Sequence, residues 1–201
     1  MGRQNCGGTS RYRDAIGRLY VAPMTRARPP RLIVFAGLPG SGKSTLAQRL
    51  ARETGALYLR IDALEQAIRD AGVLRDDIGS AGYAAAHAVA EANLHLGRDV
   101  IIDAANTVEI ARQSWRDLAA FTEAKLTEIV ITCSDPEEHR RRVETRANDV
   151  PGLIQPSWAE VVARAWEPWP GAHHVIDTAR VAPNDALKEI RRLMGMSAPP
   201  A

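Results

Sequence analysis

The sequence predicts an α/β domain built on a parallel β-sheet with helices on both faces. Short apolar segments typical of buried strands alternate along the chain with longer segments of helical periodicity. The links between strands are long enough for helical crossovers, which parallel pairing requires. The composition agrees, because 201 residues with 45% hydrophobic and 25% charged side chains are typical of one globular core. It excludes a fibrous chain and a chain that is disordered over most of its length.

The strands are predicted from short runs of apolar and β-branched residues. The run at Arg31–Ala36 is apolar at nearly every position and stops at Gly37, which is typical of a strand buried on both faces. We therefore expect it to be the central strand. The other predicted strands are 56–61, 100–102, 126–133 and 175–176.

Helices are predicted between these strands. Leu46 and Leu50 lie four residues apart in the segment 43–54, and Gly55 follows where a helix would end. Further on, Ser157 with Glu160 forms the pattern of a capping box, so another helix is expected to begin there. The remaining predicted helices are 63–71, the alanine-rich 80–97, 110–121, 136–146 and 186–194.

A phosphate-binding loop follows the first strand. Residues 37–45 read GLPGSGKST and match the pattern Gly-x-x-x-x-Gly-Lys-Ser, with the required strand before and helix after. Its glycines allow backbone N–H groups to surround a phosphate at the helix N-terminus. We expect Lys43 to reach the β and γ phosphates of a bound nucleotide and Ser44 to coordinate Mg²⁺. The predicted nucleotide-binding residues are Gly37, Leu38, Pro39, Gly40, Ser41, Gly42, Lys43, Ser44 and Thr45.

Two aspartates are predicted to end strands beside this loop. Asp103 follows an apolar run, which is typical of the carboxylate that holds Mg²⁺ through water, although a turn or helix cap is an alternative. Asp62 follows the second strand and is the candidate base for an acceptor hydroxyl. Because Asp62 also precedes a helix, an N-cap role stays open.

A basic cluster lies on the predicted helix 136–146. His139, Arg142 and Arg146 are spaced three and four residues apart, so one helical face presents them together. Arg142 and Arg146 are the candidates for stabilising the charge that develops during phosphoryl transfer. The segment leads into a turn at 148–152 suited to a hinge, so we predict a lid at about 136–156. A solvated charged helix is the alternative.

Three tryptophans follow the predicted lid. Trp158, Trp166 and Trp169 could wall an acceptor pocket, although tryptophans more often pack inside the protein. Both interpretations stay open.

Charge is distributed unevenly between the N-terminal segment and the rest of the chain. Residues 1–31 hold seven arginines against one aspartate, whereas residues 32–201 hold 19 basic and 23 acidic residues. The segment 1–30 also lacks an apolar period, so we predict a disordered basic leader, although a polyanion-binding arm is an alternative. The domain is then expected at 31–195, with a flexible tail at 196–201.

Several cellular classes have no support in the sequence. Its apolar runs are too short for a membrane span or for the core of a secretory signal. The two cysteines, Cys6 and Cys133, are too few for a disulfide framework. We therefore expect a cytoplasmic protein with no membrane partner.

Taken together, these motifs resemble the AAA-domain-containing P-loop kinases. This bacterial group is related to the polynucleotide kinase, gluconate kinase, zeta toxin and chloramphenicol phosphotransferase families. The resemblance covers about residues 31–195. It is carried by GLPGSGKST, Ile61-Asp62, VIIDAAN at 100–106, Cys133-Ser134-Asp135 with the basic helix, and Glu167-Pro168-Trp169 before Ile176-Asp177-Thr178.

The resemblance implies a three-layer P-loop NTPase fold like that of nucleoside monophosphate kinases, with strand order 2-3-1-4-5 and an arginine-bearing lid. It implies ATP and Mg²⁺ as cofactors and a small-molecule hydroxyl as acceptor, in a monomer or homodimer. Polynucleotide kinases have an arginine three residues after the aspartate that matches Asp62, whereas this chain has Glu65. Nucleic acid is therefore a disfavoured acceptor. A polynucleotide 5′-hydroxyl kinase and an ATP-dependent switch without transfer stay open as alternatives.

Overall fold

The computed structural model describes residues 28–72, 78–171 and 173–196. Most of the predicted leader (1–27) and tail (197–201) lies outside the described residues. In this part of the chain five parallel strands form one sheet in the order β2-β3-β1-β4-β5, which confirms the predicted topology. The strands are β1 Arg31–Ala36, β2 Leu57–Arg60, β3 Val100–Asp103, β4 Lys125–Thr132 and β5 His174–Asp177.

Helices connect the strands and cover both faces of the sheet. They are α1 Lys43–Thr54, α2 Ile61–Asp70, α3 Ala81–His95, α4 Glu109–Phe121, α5 Pro136–Thr145, α6 Trp158–Ala163 and α7 Pro183–Leu193. The predicted capping box is present at the start of α6, where Ser157 and Glu160 bond reciprocally. None of the helices described here is long and apolar enough to cross a membrane.

The start of α2 differs from the prediction. The strand expected at 56–61 ends at Arg60, and the helix begins at once with Ile61. Ile61 is 2% exposed and packs in the core, so its apolar character belongs to the buried face of a helix rather than to a strand. Asp62 therefore lies in the first turn of α2 and not at a strand end.

The core consists of two clusters, one on each face of the sheet. In β1, Leu32 and Val34 face the cluster formed with α3 and α4. Ile33 and Phe35 face the cluster formed with α1 and α7. This alternation explains why every residue of β1 is buried, as expected for the central strand of a three-layer fold.

An ionic contact ties the residue Arg28 to the domain. Its guanidinium donates to both carboxylate oxygens of Asp99, at 2.8 and 2.7 Å, and Arg31 also donates to Asp99. Burial alone would raise the pKa of Asp99, but these hydrogen bonds outweigh it and lower the pKa. Arg28, three residues before the predicted boundary, therefore contacts the domain.

Candidate active site

The phosphate-binding loop joins β1 to α1 in a conformation that requires glycine. Gly40 and Gly42 have φ of +82° and +94°, and a Cβ atom at Gly40 would lie 2.6 Å from Val143 Cγ2. Helix α1 begins at Lys43 without a side-chain cap. Because no side chain satisfies them, the first N–H groups of α1 are available to an anion.

Three neighbouring segments hold the loop in place. His139 Nε2 donates to the Pro39 carbonyl at 2.8 Å, and the Thr178 hydroxyl lies 2.8 Å from the Ser41 carbonyl oxygen. Gly37 N–H donates to the Ala105 carbonyl at 3.2 Å. The loop is therefore braced by α5 and by the chain that follows β3 and β5.

His139 has a different place from the one predicted. The prediction groups it with Arg142 and Arg146 on one helical face, but it is 8% exposed and its ring meets Trp158 edge-on at 5.1 Å between ring centroids. Its hydrogen bond to the loop makes it a structural support. Thr178 had no role in the prediction, although its position directly after β5, at the carboxyl edge of the sheet, was a usable signal.

Asp103 ends β3, as predicted, and lies beside Lys43. It is 1% exposed, and its Oδ2 accepts a 2.6 Å hydrogen bond from the Tyr58 hydroxyl. Its Oδ1 lies 3.9 Å from Lys43 Nζ and has no hydrogen-bond partner among residues 28–72, 78–171 and 173–196. A buried carboxylate oxygen near Lys43, together with the half-buried hydroxyl of the following residue Ser44, fits a Mg²⁺ site, because Mg²⁺ prefers hard oxygen ligands and retains water.

Arg60 connects three carboxylates at the carboxyl end of β2. Its Nη1 donates to Asp149 at 2.6 Å, and its Nε lies 3.7 Å from Asp62 and 4.0 Å from Asp103. Burial opposes its charge, but these carboxylates outweigh burial and raise the pKa of Arg60. The sequence analysis did not predict a site role for Arg60, although its position at the carboxyl end of β2 was a signal for one.

Asp62 borders the cleft but does not cap α2. The N-cap position is Arg60, and no side chain makes a capping bond there. The alternative role as an N-cap is therefore wrong. A carboxylate in the first turn is still favoured by the helix dipole, and Arg60 lies within ion-pair distance.

Arg142 and Arg146 border the same cleft through different contacts. Arg142 donates to Thr178 Oγ1 and to Glu138, both at 2.7 Å, so it lies next to the loop supports. Hydrogen bonds from Arg141 and Arg142 lower the pKa of Glu138 to about 2. Arg146 follows α5 and donates to Gln155; burial lowers the pKa of Arg146, while Asp62 opposes that shift.

These residues surround a cleft of about 860 Å³ between the phosphate-binding loop, α2, α5 and the segment 146–156. Among its lining residues are Lys43, Ser44, Thr45, Arg60, Asp62, Glu65, Arg142, Arg146, Asp149 and Arg164. The predicted phosphate side, acceptor side and basic cluster thus meet in one cavity.

The tryptophans pack outside this cleft. Trp158 contacts His139, and Trp166 lies 6.3 Å from Trp169 between ring centroids. The guanidinium of the fully buried Arg112 lies 4.7 Å from the centre of the Trp169 ring. These contacts favour the packing interpretation over an acceptor wall.

The family described as an AAA domain matches residues 32–167. This range includes the loop, both aspartates and both cleft arginines. The chain belongs to the AAA-domain P-loop kinases. The predicted family is therefore confirmed.

Two relatives are similar to the chain in sequence, and one solved structure is similar to it in fold. The chain is 36% identical over 138 residues to a shikimate kinase of Corynebacterium efficiens, covering 60% of this chain and 80% of that protein. It is 34% identical over 128 residues to an uncharacterised protein of Mycobacterium tuberculosis, covering 57% of this chain but only 26% of that longer protein. The APS kinase of M. tuberculosis in complex with AMPPNP and APS shares the fold, with a TM-score of 0.63 at 18% identity over 83% of this chain and 98% of that one.

Proposed function

We propose that the protein transfers the γ-phosphoryl group of Mg·ATP to a hydroxyl group of a small molecule. The observation that carries this proposal is the single cleft bordered by Lys43 and Ser44 on one element and by Asp62 on another. Its relatives support the reaction class, since a shikimate kinase and an APS kinase are among them.

The phosphate side of the site would hold the nucleotide. Lys43 and the backbone N–H groups of 38–44 bind the phosphates, while Ser44 and Asp103 provide the oxygen ligands for the metal. When bound, Mg²⁺ neutralises charge on the β and γ phosphates. The Asp103 carboxylate suits that role, because Tyr58 donates to one of its oxygens and, within the described part of the chain, the other oxygen accepts no hydrogen bond.

The acceptor side would deliver the nucleophile. Asp62 orients an acceptor hydroxyl and accepts its proton as the oxygen forms a bond to the γ phosphorus. The bond from that phosphorus to the β–γ bridging oxygen breaks, ADP carries away the electron pair, and Asp62 later releases its proton to water. Arg142 and Arg146 stabilise the charge on the transferring group.

A screen for new phosphate esters tests the proposal. The protein is mixed with Mg·ATP and a pool of hydroxyl metabolites, and phosphorylated products are identified by mass spectrometry. We expect an ester of one small-molecule class, absent with Lys43→Ala. Phosphorylation of a 5′-hydroxyl oligonucleotide would overturn the small-molecule assignment in favour of a polynucleotide kinase. ATP hydrolysis without any ester would favour an ATP-dependent switch.

A further inference from the structure

A second cavity adjoins the nucleotide cleft. It has a volume of about 980 Å³ and lies between α3 and the start of α4. Asp62, Glu65 and Arg164 line both cavities, so the two are continuous around the proposed base. We call this second cavity the α3–α4 groove.

The walls of the α3–α4 groove are mainly apolar and aromatic. Helix α3 contributes Tyr83 and His87, whose rings lie 6.2 and 5.5 Å from the Trp115 ring beneath them. The opposite wall includes Val108 and Ile110, and Ile110 is 82% exposed. A large exposed apolar side chain at the mouth of a cavity marks a surface for an apolar ligand.

Three of the four charged side chains in the groove lining lie where it meets the nucleotide cleft, whereas the rest of the groove offers mainly the neutral polar side chains of Ser80, His87, Thr107 and Ser114. Asp62, Glu65 and Arg164 lie at this junction, and Glu91 is the other carboxylate in the lining. His87 Nε2 is engaged with the Ser114 carbonyl at 3.2 Å. A polyhydroxylated acceptor buried along the groove would lose water without gaining equivalent hydrogen bonds, whereas an apolar body would not.

We infer that the α3–α4 groove binds the body of the acceptor, and that the acceptor is an amphipathic alcohol with an apolar, ring-containing body. Its hydroxyl lies at Asp62 and its apolar part extends over Tyr83 and His87 toward Ile110. The volume suits a drug-sized molecule rather than a compact sugar acid. This inference rests on the proposed kinase function, because it assigns the acceptor for the same site.

Two substitutions in the groove and matched controls outside it provide the test. Ala88→Trp fills the groove from α3, and Ile110→Glu places a charge on its opposite wall at a largely exposed position. Val89 is exposed on α3 but does not line the groove, so Val89→Trp and Val89→Glu are the controls. Thermal melts identify any variant that fails to fold. If Ala88→Trp fails to fold, Ile110→Glu still tests the inference, because Ile110 is largely exposed.

Binding is measured on the full chain with the fluorescent probe 1-anilinonaphthalene-8-sulfonate. Both groove variants should weaken probe binding about tenfold or more, whereas both controls and Lys43→Ala should bind it like the wild type. The alcohol 2-naphthaleneethanol should displace the probe, and glycerol should not. For any acceptor found in the ester screen, kcat/KM should fall about tenfold in the groove variants while the KM for ATP stays unchanged.

Other outcomes would overturn the inference. Equal probe binding by wild type and both groove variants would show that the groove is not a ligand site. Tighter probe binding after deletion of residues 1–23 would show that the leader covers it, and a dimer that dissociates only in the groove variants would make it a subunit interface.

Transfer only to compact polyols, with kcat/KM unaffected by Ile110→Glu, would reject the amphipathic acceptor while leaving the kinase proposal intact. If the wild-type protein binds the probe as expected but forms no phosphate ester with any acceptor in the screen, the kinase proposal is rejected instead.

Discussion

The two carboxylate oxygens of Asp103 have different neighbours. Oδ2 accepts a hydrogen bond from the Tyr58 hydroxyl, and Oδ1 lies near the Lys43 ammonium group. Burial, followed by the charge of Asp103, raises the pKa of Tyr58, so its hydroxyl stays protonated and keeps donating.

We predict that Tyr58→Phe lowers the free energy of unfolding by about 1–3 kcal/mol, because it leaves a buried carboxylate oxygen without its donor. The same change should increase the Mg²⁺ concentration needed for half-maximal transfer several-fold. Thermal unfolding and Mg²⁺ titration measure the two effects, each compared with the wild type. If Tyr58→Phe needs no more Mg²⁺ than the wild type, Tyr58 stabilises the fold without affecting the metal site.

The two site aspartates should respond differently to loss of charge. Asp62→Asn removes the proposed base and should reduce transfer by roughly 10² to 10⁴ while Mg·ATP binding stays near wild type. Asp103→Asn weakens the metal site, so raising Mg²⁺ should restore part of its activity but none of the activity of Asp62→Asn. The measurements are acceptor-saturated kcat at several Mg²⁺ concentrations and ATP Kd. Metal rescue of Asp62→Asn would place that residue on the metal side of the cleft.

At the scale of elements, helix α5 and the segment after it carry the proposed lid arginines. The segment is braced by Asn148 Nδ2, which donates to the Leu153 carbonyl at 2.8 Å, and by the pair between Arg60 and Asp149. This bracing orders the segment 146–156 beside the cleft. The proposed lid thus consists of a helix held against the phosphate-binding loop and a hydrogen-bonded loop facing α2.

If Arg142 and Arg146 act on the transferring phosphoryl group, their effects should appear in kcat. Replacing either with Ala should lower kcat by about 10² or more and change ATP Kd little, because the lost contacts form in the transition state. Arg141→Ala is the matched control on the same helix, since Arg141 is exposed and pairs with Glu138 outside the cleft lining. If Arg142→Ala and Arg146→Ala both have the kcat of the wild type, these arginines have no role in the transfer step.

At the scale of the whole molecule, we predict that a truncation that keeps Arg28 and its ion pair with Asp99 preserves the fold. Deleting residues 1–23 removes a segment without an apolar period and keeps the Arg28–Asp99 pair. We expect the melting temperature and ATP affinity to stay nearly unchanged. Differential scanning calorimetry and ATP titration test this, and Asp99→Asn serves as the comparison that does break the pair. A drop of several degrees after truncation would show that the leader packs on the domain.

The sequence by itself determined the order of strands and helices, the phosphate-binding loop, and the placement of Asp103 at a strand end. These features depend on local spacing and on a short contiguous motif, both of which are legible without knowledge of distant contacts. The error at Asp62 had a local cause as well: Ile61 is buried in either a strand or a helix, so an apolar residue at that point did not reveal where β2 ends.

Only the tertiary structure decided which distant residues complete the site. Tyr58 meets Asp103 because β2 and β3 pair, and His139 reaches Pro39 across 100 residues of sequence. The α3–α4 groove likewise exists only because α3 and α4 lie side by side, with His87 of α3 stacked on Trp115 of α4. Periodicity reports which face of an element is buried but not which neighbour it meets, so the supports of the loop and the shape of the acceptor side depend on packing between elements.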